Sequence, residues 1–351
     1  MSHTHLKPLT AAILLTLFAF NSAAASQANS RKDVLLAATI HQAIEEEVRK
    51  GFSGAVLVAR GKHRIIDRGY GSIRSFPIQA RTRFWIASVA KQFVSASILK
   101  LVEQGSLNLH DPLVKFFPDA PADKRTITIE QLLAHTSGLD QSYVSEGLSD
   151  RATAVKRMFD EPLIEKPGTK FGYSNSNYQL AVAVVEIVSG RSYKEFVVKE
   201  LLHPAGLRNT GFSGDSGSRI VSLALADTPA RLSKSEWGGE GVYSTTGELL
   251  KWYRALQSGR VLSRASVKRF FTGVTPISEG QSALGWFIGR TDKGATRMFT
   301  RGNEGFGANA LIYIYPETDT VIIVLSHAGQ ANDDSSWSRL VHNKIEKLLS
   351  L

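Results

Sequence analysis

Ser88-Val89-Ala90-Lys91 places a hydroxyl and an amine three residues apart at the start of a helical stretch. Residues at that spacing share one helix face, so their side chains are within reach of each other. A neutral lysine there could take the serine proton and turn the hydroxyl into an acyl-transfer nucleophile. The helix start adds a positive end and a Ser88 backbone N–H available to an oxyanion. A second S-x-x-K, Ser97-Ile98-Leu99-Lys100, lies about 2.5 turns further into the same helix and reads as ordinary helical sequence. Tyr173-Ser174-Asn175 is the one Y-x-N in the chain. A tyrosine held beside a lysine can accept or relay a proton, and Asn175 could hydrogen-bond Lys91 and a substrate carbonyl.

The surrounding pattern supplies elements to hold these groups. Residues 31–50 have helical periodicity, broken by Gly51-Phe52-Ser53-Gly54. Ala55 to Ala59 reads as a strand, Gly61-Lys62 as a turn and His63 to Asp67 as the partner strand. Residues 84–104 are expected to be helical up to a Gly105 cap, and Leu180 to Val188 forms an apolar helix after Tyr173. Strands follow at Leu284 to Ile288, Ala310 to Tyr315 and Val321 to Leu325, the last two joined by a hairpin turn at 316–319. A final helix starts at Asp333 or Ser335. Strands therefore lie at both ends and helices in the middle. The expected fold is α/β (α+β): an antiparallel sheet built from both ends of the chain, about 31–95 and 265–351, flanked by helices, with a mainly helical insert at about 96–264.

Taken in order, Phe84-Trp85-Ile86-Ala87-Ser88-Val89-Ala90-Lys91, Leu132-Leu133-Ala134-His135-Thr136-Ser137-Gly138-Leu139 and Phe171-Gly172-Tyr173-Ser174-Asn175 resemble the class C β-lactamase-related serine hydrolases. That family includes β-lactamases, D-Ala-D-Ala peptidases, D-aminopeptidases and lipase-like esterases. The resemblance spans roughly residues 33–350, with further echoes at Gly51-Phe52-Ser53-Gly54, His203-Pro204-Ala205-Gly206-Leu207 and Gly241-Val242-Tyr243-Ser244-Thr245. It implies the serine β-lactamase/transpeptidase-like fold, with Ser88 as nucleophile, Lys91 as its base and Tyr173 as proton shuttle to the leaving group. His135 is expected to be a packed hydrogen-bonder beside the site.

One element departs from the family pattern. The resemblance calls for K-T-G or H-x-G on the strand beside the nucleophile, supplying a cation and a second oxyanion N–H. Here the region reads Phe299-Thr300-Arg301-Gly302-Asn303-Glu304-Gly305. Either Thr300-Arg301-Gly302 fills the triplet or Arg301 takes the cation position. Arginine can hold a carboxylate in bidentate fashion but cannot exchange protons near neutral pH. Asn175, Arg301, Gly302 and Asn303 are the expected substrate-binding residues. His327-Ala328-Gly329 ends a strand, either as a plain terminal loop or, through the hairpin, directed towards the site. Trp237-Gly238-Gly239 stands too early to replace the triplet, and Gly214-Asp215-Ser216-Gly217 reads as a turn-rich loop. No G-x-S-x-G nucleophile elbow is present.

Composition narrows the remaining classes. The 351 residues are 43% hydrophobic and 21% charged, which excludes disordered and fibrous classes. The chain has no cysteine, so disulfide scaffolds, thiolate metal sites and cysteine nucleophiles are excluded. No clustered ligand set suggests a metal, and no cofactor is expected. Lys7, the apolar run Ala11 to Phe20 and Ala23-Ala24-Ala25 have the layout of a secretory signal peptide over residues 1–25. Nothing later is long and apolar enough for stable membrane insertion. The formal charge of +10 comes without long basic runs or an aromatic-basic stripe, so no nucleic-acid partner is expected. The expectation is an exported, bacterial periplasmic serine hydrolase acting on small ester, peptide or lactam substrates. The alternative is a penicillin-binding-like envelope protein that binds without hydrolysis.

Overall fold

The computed structural model describes residues 32–73, 76–141, 144–145, 148, 150–212, 241–303, 308–327 and 336–351. The proposed signal peptide, Gly214–Gly217 and Trp237–Gly239 lie outside the described residues. The chain opens with a helix, α1 (residues 32–49), followed by strands β1 (Gly54–Arg60) and β2 (His63–Tyr70). Short pairings β3 (Ser72–Ile73) with β4 (Phe76–Pro77), and then β5 (Phe84–Trp85), lead to a 3₁₀ turn at Ala87–Ala90 and helix α2 (Lys91–Glu103). The helical middle holds α3 (Ile129–Leu133), α4 (Arg151–Asp160), α5 (Asn175–Ser189), α6 (Tyr193–Val197) and α7 (His203–Ala205). Strands β6 (Gly211–Phe212) and β7 (Val242–Ser244) join β5 in a small sheet ordered β5-β7-β6. After α8 (Thr246–Gln257) and α9 (Arg264–Phe270) come β8 (Thr275–Ile277), β9 (Gly280–Ser282), β10 (Phe287–Arg290), β11 (Thr296–Asn303), β12 (Asn309–Tyr315), β13 (Thr320–Ser326) and α10 (Trp337–Leu348).

The main sheet has the order β2-β1-β13-β12-β11-β10-β9-β8, with antiparallel neighbours throughout. The N-terminal hairpin thus closes onto the C-terminal strands, as both-ends assembly requires. β1, β12 and β13 are buried almost end to end because helices cover both faces, which explains their near-continuous apolar sequences. Alternation sorts their side chains. Val56, Val58, Leu311, Tyr313, Tyr315, Ile322 and Val324 pack with Ile40 and Ile44 of α1 and Val341 and Ile345 of α10. Ala55, Leu57, Ala310, Ile312, Ile323 and Leu325 face the opposite way and join the large core of α2, α5 and α8.

Several boundaries differ from expectation. The helix expected over 84–104 begins at Lys91, because Phe84 and Trp85 pair with Ser244 and Tyr243 and the chain then turns through Ala87 at φ +46°. The strand expected from Leu284 begins at Phe287, since Gly285 at φ +77° turns the chain. α10 begins at Trp337; residues 333–335 are outside the described ones.

Candidate active site

Ser88 sits in the 3₁₀ turn that leads directly into α2, and three constraints hold that turn. β5 pairs with β7, Ile86 N–H donates to Val242 O at 3.1 Å, and Val89 N–H closes back on Ile86 O at 3.0 Å. Ala87 is non-glycine at φ +46°, a conformation that surrounding structure must impose. Lys91 occupies the first position of α2 and is almost fully buried, 3% exposed.

The spacing argument for the helix pair holds geometrically: Lys91 Nζ donates to Ser88 Oγ at 3.0 Å. Lys91 Nζ also donates to Asn175 Oδ1 at 2.8 Å, and Tyr173 OH donates to Ser88 Oγ at 2.8 Å. Ser88, Lys91, Tyr173 and Asn175 therefore converge although 82 or more residues separate the helix pair from the other two. The Lys91 amine lies over the Tyr173 ring, 5.1 Å from its centroid, and over the Tyr178 ring at 5.6 Å. Two donors on one hydroxyl oxygen stabilise negative charge developing there.

A buried polar frame fixes the Tyr173–Asn175 segment. The His135 ring stacks on Tyr173 at 4.4 Å, and its Nδ1 accepts from Ser174 N–H at 3.2 Å and faces Asn177 Nδ2 at the same distance. Burial, with the Lys91 charge nearby, holds the His135 pKa well below the usual imidazole value, so the ring is neutral and Nδ1 serves as acceptor. Gly172 N–H donates to His135 O, Ser174 Oγ to Asp140 O, and Ser137 Oγ to Asn177 Oδ1. His135 thus has the packed, hydrogen-bonding position expected of it. Tyr178, not singled out in the sequence, closes the floor: its hydroxyl donates to Leu133 O at 2.7 Å. Its place on α5, one turn after Ser174, was the available signal.

β11 forms the opposite wall, and its register resolves the altered triplet. Gly302 lies so close to the nucleophile turn that a Cβ would stand 2.6 Å from Ser88 N, 2.7 Å from Ala87 Cβ and 2.8 Å from Ile86 O. Glycine at this point lets strand and turn touch. Thr300, two residues earlier, faces the same side: its cross-strand partner Ile312 belongs to the inner core. Arg301 alternates to the outer face with Phe299, whose partner Tyr313 packs against α10. Arg301 Nη2 donates to Glu279 Oε1 at 2.8 Å, and its guanidinium covers the Phe299 ring at 4.9 Å. Burial raises and the Arg301 charge lowers the Glu279 pKa, with a net downward result that keeps the carboxylate ionised. Of the two readings of the altered triplet, the register fits Thr300-Arg301-Gly302 filling it; Arg301 does not take the cation position, because strand alternation turns its guanidinium to the other face. Asn303 follows Gly302 at the end of β11, opposite Asn309.

The β9–β10 connection completes the cleft. Ser282, Ala283, Gly285, Trp286 and Phe287 line it together with Ser88, Lys91, His135, Tyr173, Thr300 and Arg301. Ser282 Oγ donates to Ala134 O at 2.9 Å, tying this wall to the His135 segment. His327 is anchored elsewhere: its Nδ1 and backbone N face Ser53 O, and it is not among the residues lining the cleft. The second S-x-x-K is structural. Ser97 Oγ donates back to Phe93 O, and Lys100 Nζ reaches Val261 O at 2.9 Å.

Comparison with known proteins gives a matching picture. PbpX of Bacillus subtilis (strain 168), whose name calls it a penicillin-binding protein, is 26% identical over 316 residues, covering 86% of this chain and 76% of its own. A penicillin-binding protein from Bacillus halodurans superposes with a TM-score of 0.75 at 24% identity, covering 88% of this chain and 99% of its own. A D-amino acid amidase from Ochrobactrum anthropi SV3 superposes with a TM-score of 0.77 at 19% identity, covering 90% and 97%. These superpositions establish a shared fold. The Beta-lactamase family model matches residues 37–343, a span that contains the whole Ser88 cleft. The chain is therefore a member of the β-lactamase family, whose fold is that of serine hydrolases.

Proposed function

We propose that the protein hydrolyses small amides or esters, D-amino-acid derivatives foremost, through an acyl-enzyme on Ser88. The observation that carries this reading is the convergence of Lys91 Nζ and Tyr173 OH on Ser88 Oγ at 3.0 and 2.8 Å. Neutral Lys91 takes the Ser88 proton as Oγ bonds to the substrate carbonyl carbon. The carbonyl oxygen becomes an oxyanion held by the Ser88 N–H and a backbone N–H at the end of β11, the Asn303 amide. Collapse breaks the bond to the leaving nitrogen or oxygen, which receives its proton through Tyr173. Water then enters by the reverse sequence and frees the acid. Asn175 orients Lys91 through their 2.8 Å contact. The apolar wall of Ala283, Trp286 and Phe287 suits a small hydrophobic acyl group, and similarity to a D-amino acid amidase supports the same substrate class. The layout of residues 1–25 supports export, to a bacterial periplasm or cell surface.

The test is covalent labelling and turnover. The protein is incubated with a fluorophosphonate, a p-nitrophenyl ester panel, D-amino-acid amides and a fluorescent penicillin, beside Ser88→Ala. Labelling confined to the unsubstituted protein and mapped to Ser88 is expected. Turnover that survives Ser88→Ala would refute the nucleophile.

A further inference from the structure

The substrate's charge is decided on β11. Resting on the Ser88 acyl-enzyme reading, we infer that the site selects substrates with no carboxylate beside the scissile bond, because the β11 register sets Thr300 towards Ser88 and carries the Arg301 guanidinium to the outer face, where it pairs with Glu279.

Lys91 and Arg301 are the basic residues among the described ones at the cleft, Arg301 through its place on β11. Lys91 Nζ is committed to Ser88 and Asn175 at hydrogen-bond distance, so the amine serves the nucleophile. The Arg301 guanidinium is committed to Glu279 Oε1 at 2.8 Å, and Glu279 also lies near Arg297 at 4.0 Å. A strand side chain cannot change face without a register slip, and β11 is held by β10 on one side and β12 on the other. The β11 side chain that does face Ser88 is Thr300, 3% exposed, which offers a hydroxyl. Across the cleft stand Ala283, Trp286 and Phe287. A carboxylate entering between Thr300 and this wall loses its hydration and finds a neutral hydroxyl and aromatic rings in exchange, with the Lys91 amine already bonded to Ser88 and Asn175 and the Arg301 guanidinium to Glu279, which is unfavourable. A neutral amide or ester loses little on entry and keeps one hydroxyl as partner.

The experiment uses a matched pair of thioesters, N-benzoyl-D-alanyl-thioglycolate and its methyl ester, which differ in the charge of the leaving group. At 0.5 M NaCl, where long-range attraction to the basic protein is screened, kcat/KM for the neutral member is expected to exceed that for the charged one by about tenfold or more. Arg301→Gln is expected to change both values by the same factor. Thr300→Lys, if its thermal midpoint shows a folded protein, is expected to shift the ratio towards the carboxylate. A wild-type preference for the carboxylate, or a loss in Arg301→Gln confined to the charged member, overturns the inference. Hydrolysis of neither thioester with Ser88 still labelled by the fluorophosphonate overturns it alone. Absence of that labelling instead removes the acyl-enzyme reading and the inference with it.

Discussion

Gly302→Ala changes no reacting group, yet it should be among the most damaging single substitutions in this chain. The added Cβ would stand 2.6 Å from Ser88 N, with Ala87 Cβ at 2.7 Å and Ile86 O at 2.8 Å. Ordinary contact begins near 3.4 Å, so strand and turn must separate by about 0.8 Å. Neither side yields easily. The turn is pinned by the β5–β7 pairing and the Ile86–Val242 hydrogen bond, and β11 by two neighbouring strands. An oxyanion needs both donors within about 2.7–3.1 Å, so a displacement of this size removes one of them, at about 10²- to 10³-fold in kcat. Overpacking adds about 1–3 kcal/mol of destabilisation. The assay is stopped-flow acylation by a p-nitrophenyl ester, with thermal midpoint recorded alongside. Gly172→Ala is the control: it adjoins Tyr173, but a Cβ there meets nothing within 4 Å and its φ is ordinary. Acylation by Gly302→Ala within threefold of wild type would refute the proposed placement of the oxyanion donors.

Further substitutions test the remaining parts. Tyr173→Phe keeps the ring on His135 but removes the hydroxyl at Ser88 Oγ, and acylation of amide substrates should fall about 10²- to 10⁴-fold while thermal stability holds. Ser97→Ala and Lys100→Met should leave acylation unchanged despite their motif spacing, because Ser97 bonds Phe93 O and Lys100 caps Val261 O; a large loss of rate would restore the second motif as a candidate. Burial pushes the His342 pKa down to about 3. Between that value and about 6.5 the unfolded chain binds the extra proton, so stability present at neutral pH is lost on acidification, by about 2 kcal/mol at pH 5. The stability advantage of wild type over His342→Gln in urea titrations should therefore shrink from pH 7.5 to pH 5, and a pH-independent difference would contradict the assignment. His135, also depressed by burial, contributes in the same direction.

Much of the fold was legible because the signals are local. The runs at 54–60, 309–315 and 320–326 are apolar on both faces, so their placement in the sheet interior follows from burial. The helix preceding β1 and the hairpin turn at 316–319 also announce themselves by period and composition. The start of α2 did not, because residues 84–86 are recruited by a strand about 160 residues later. His135 and Ala87 at positive φ carry no sequence mark, since alanine and histidine ordinarily avoid that region.

The candidate site divides in the same way. Serine and lysine three residues apart share one face of the turn that runs into α2, so the sequence announced that contact, although the β5–β7 pairing fixes the turn itself. Tyr173 and Asn175 were recognisable as a motif, but only the packing of α5 on α2 decided that they reach Ser88 and Lys91. Arg301 marks the limit most clearly. On a strand, one residue of register exchanges the two faces, and that register is set by hydrogen bonding to β10 and β12 rather than by neighbours in the chain. The sequence therefore supplied a basic residue at the right place in the chain, and the sheet pairing set Thr300 on the Ser88 side while the Arg301 guanidinium pairs with Glu279.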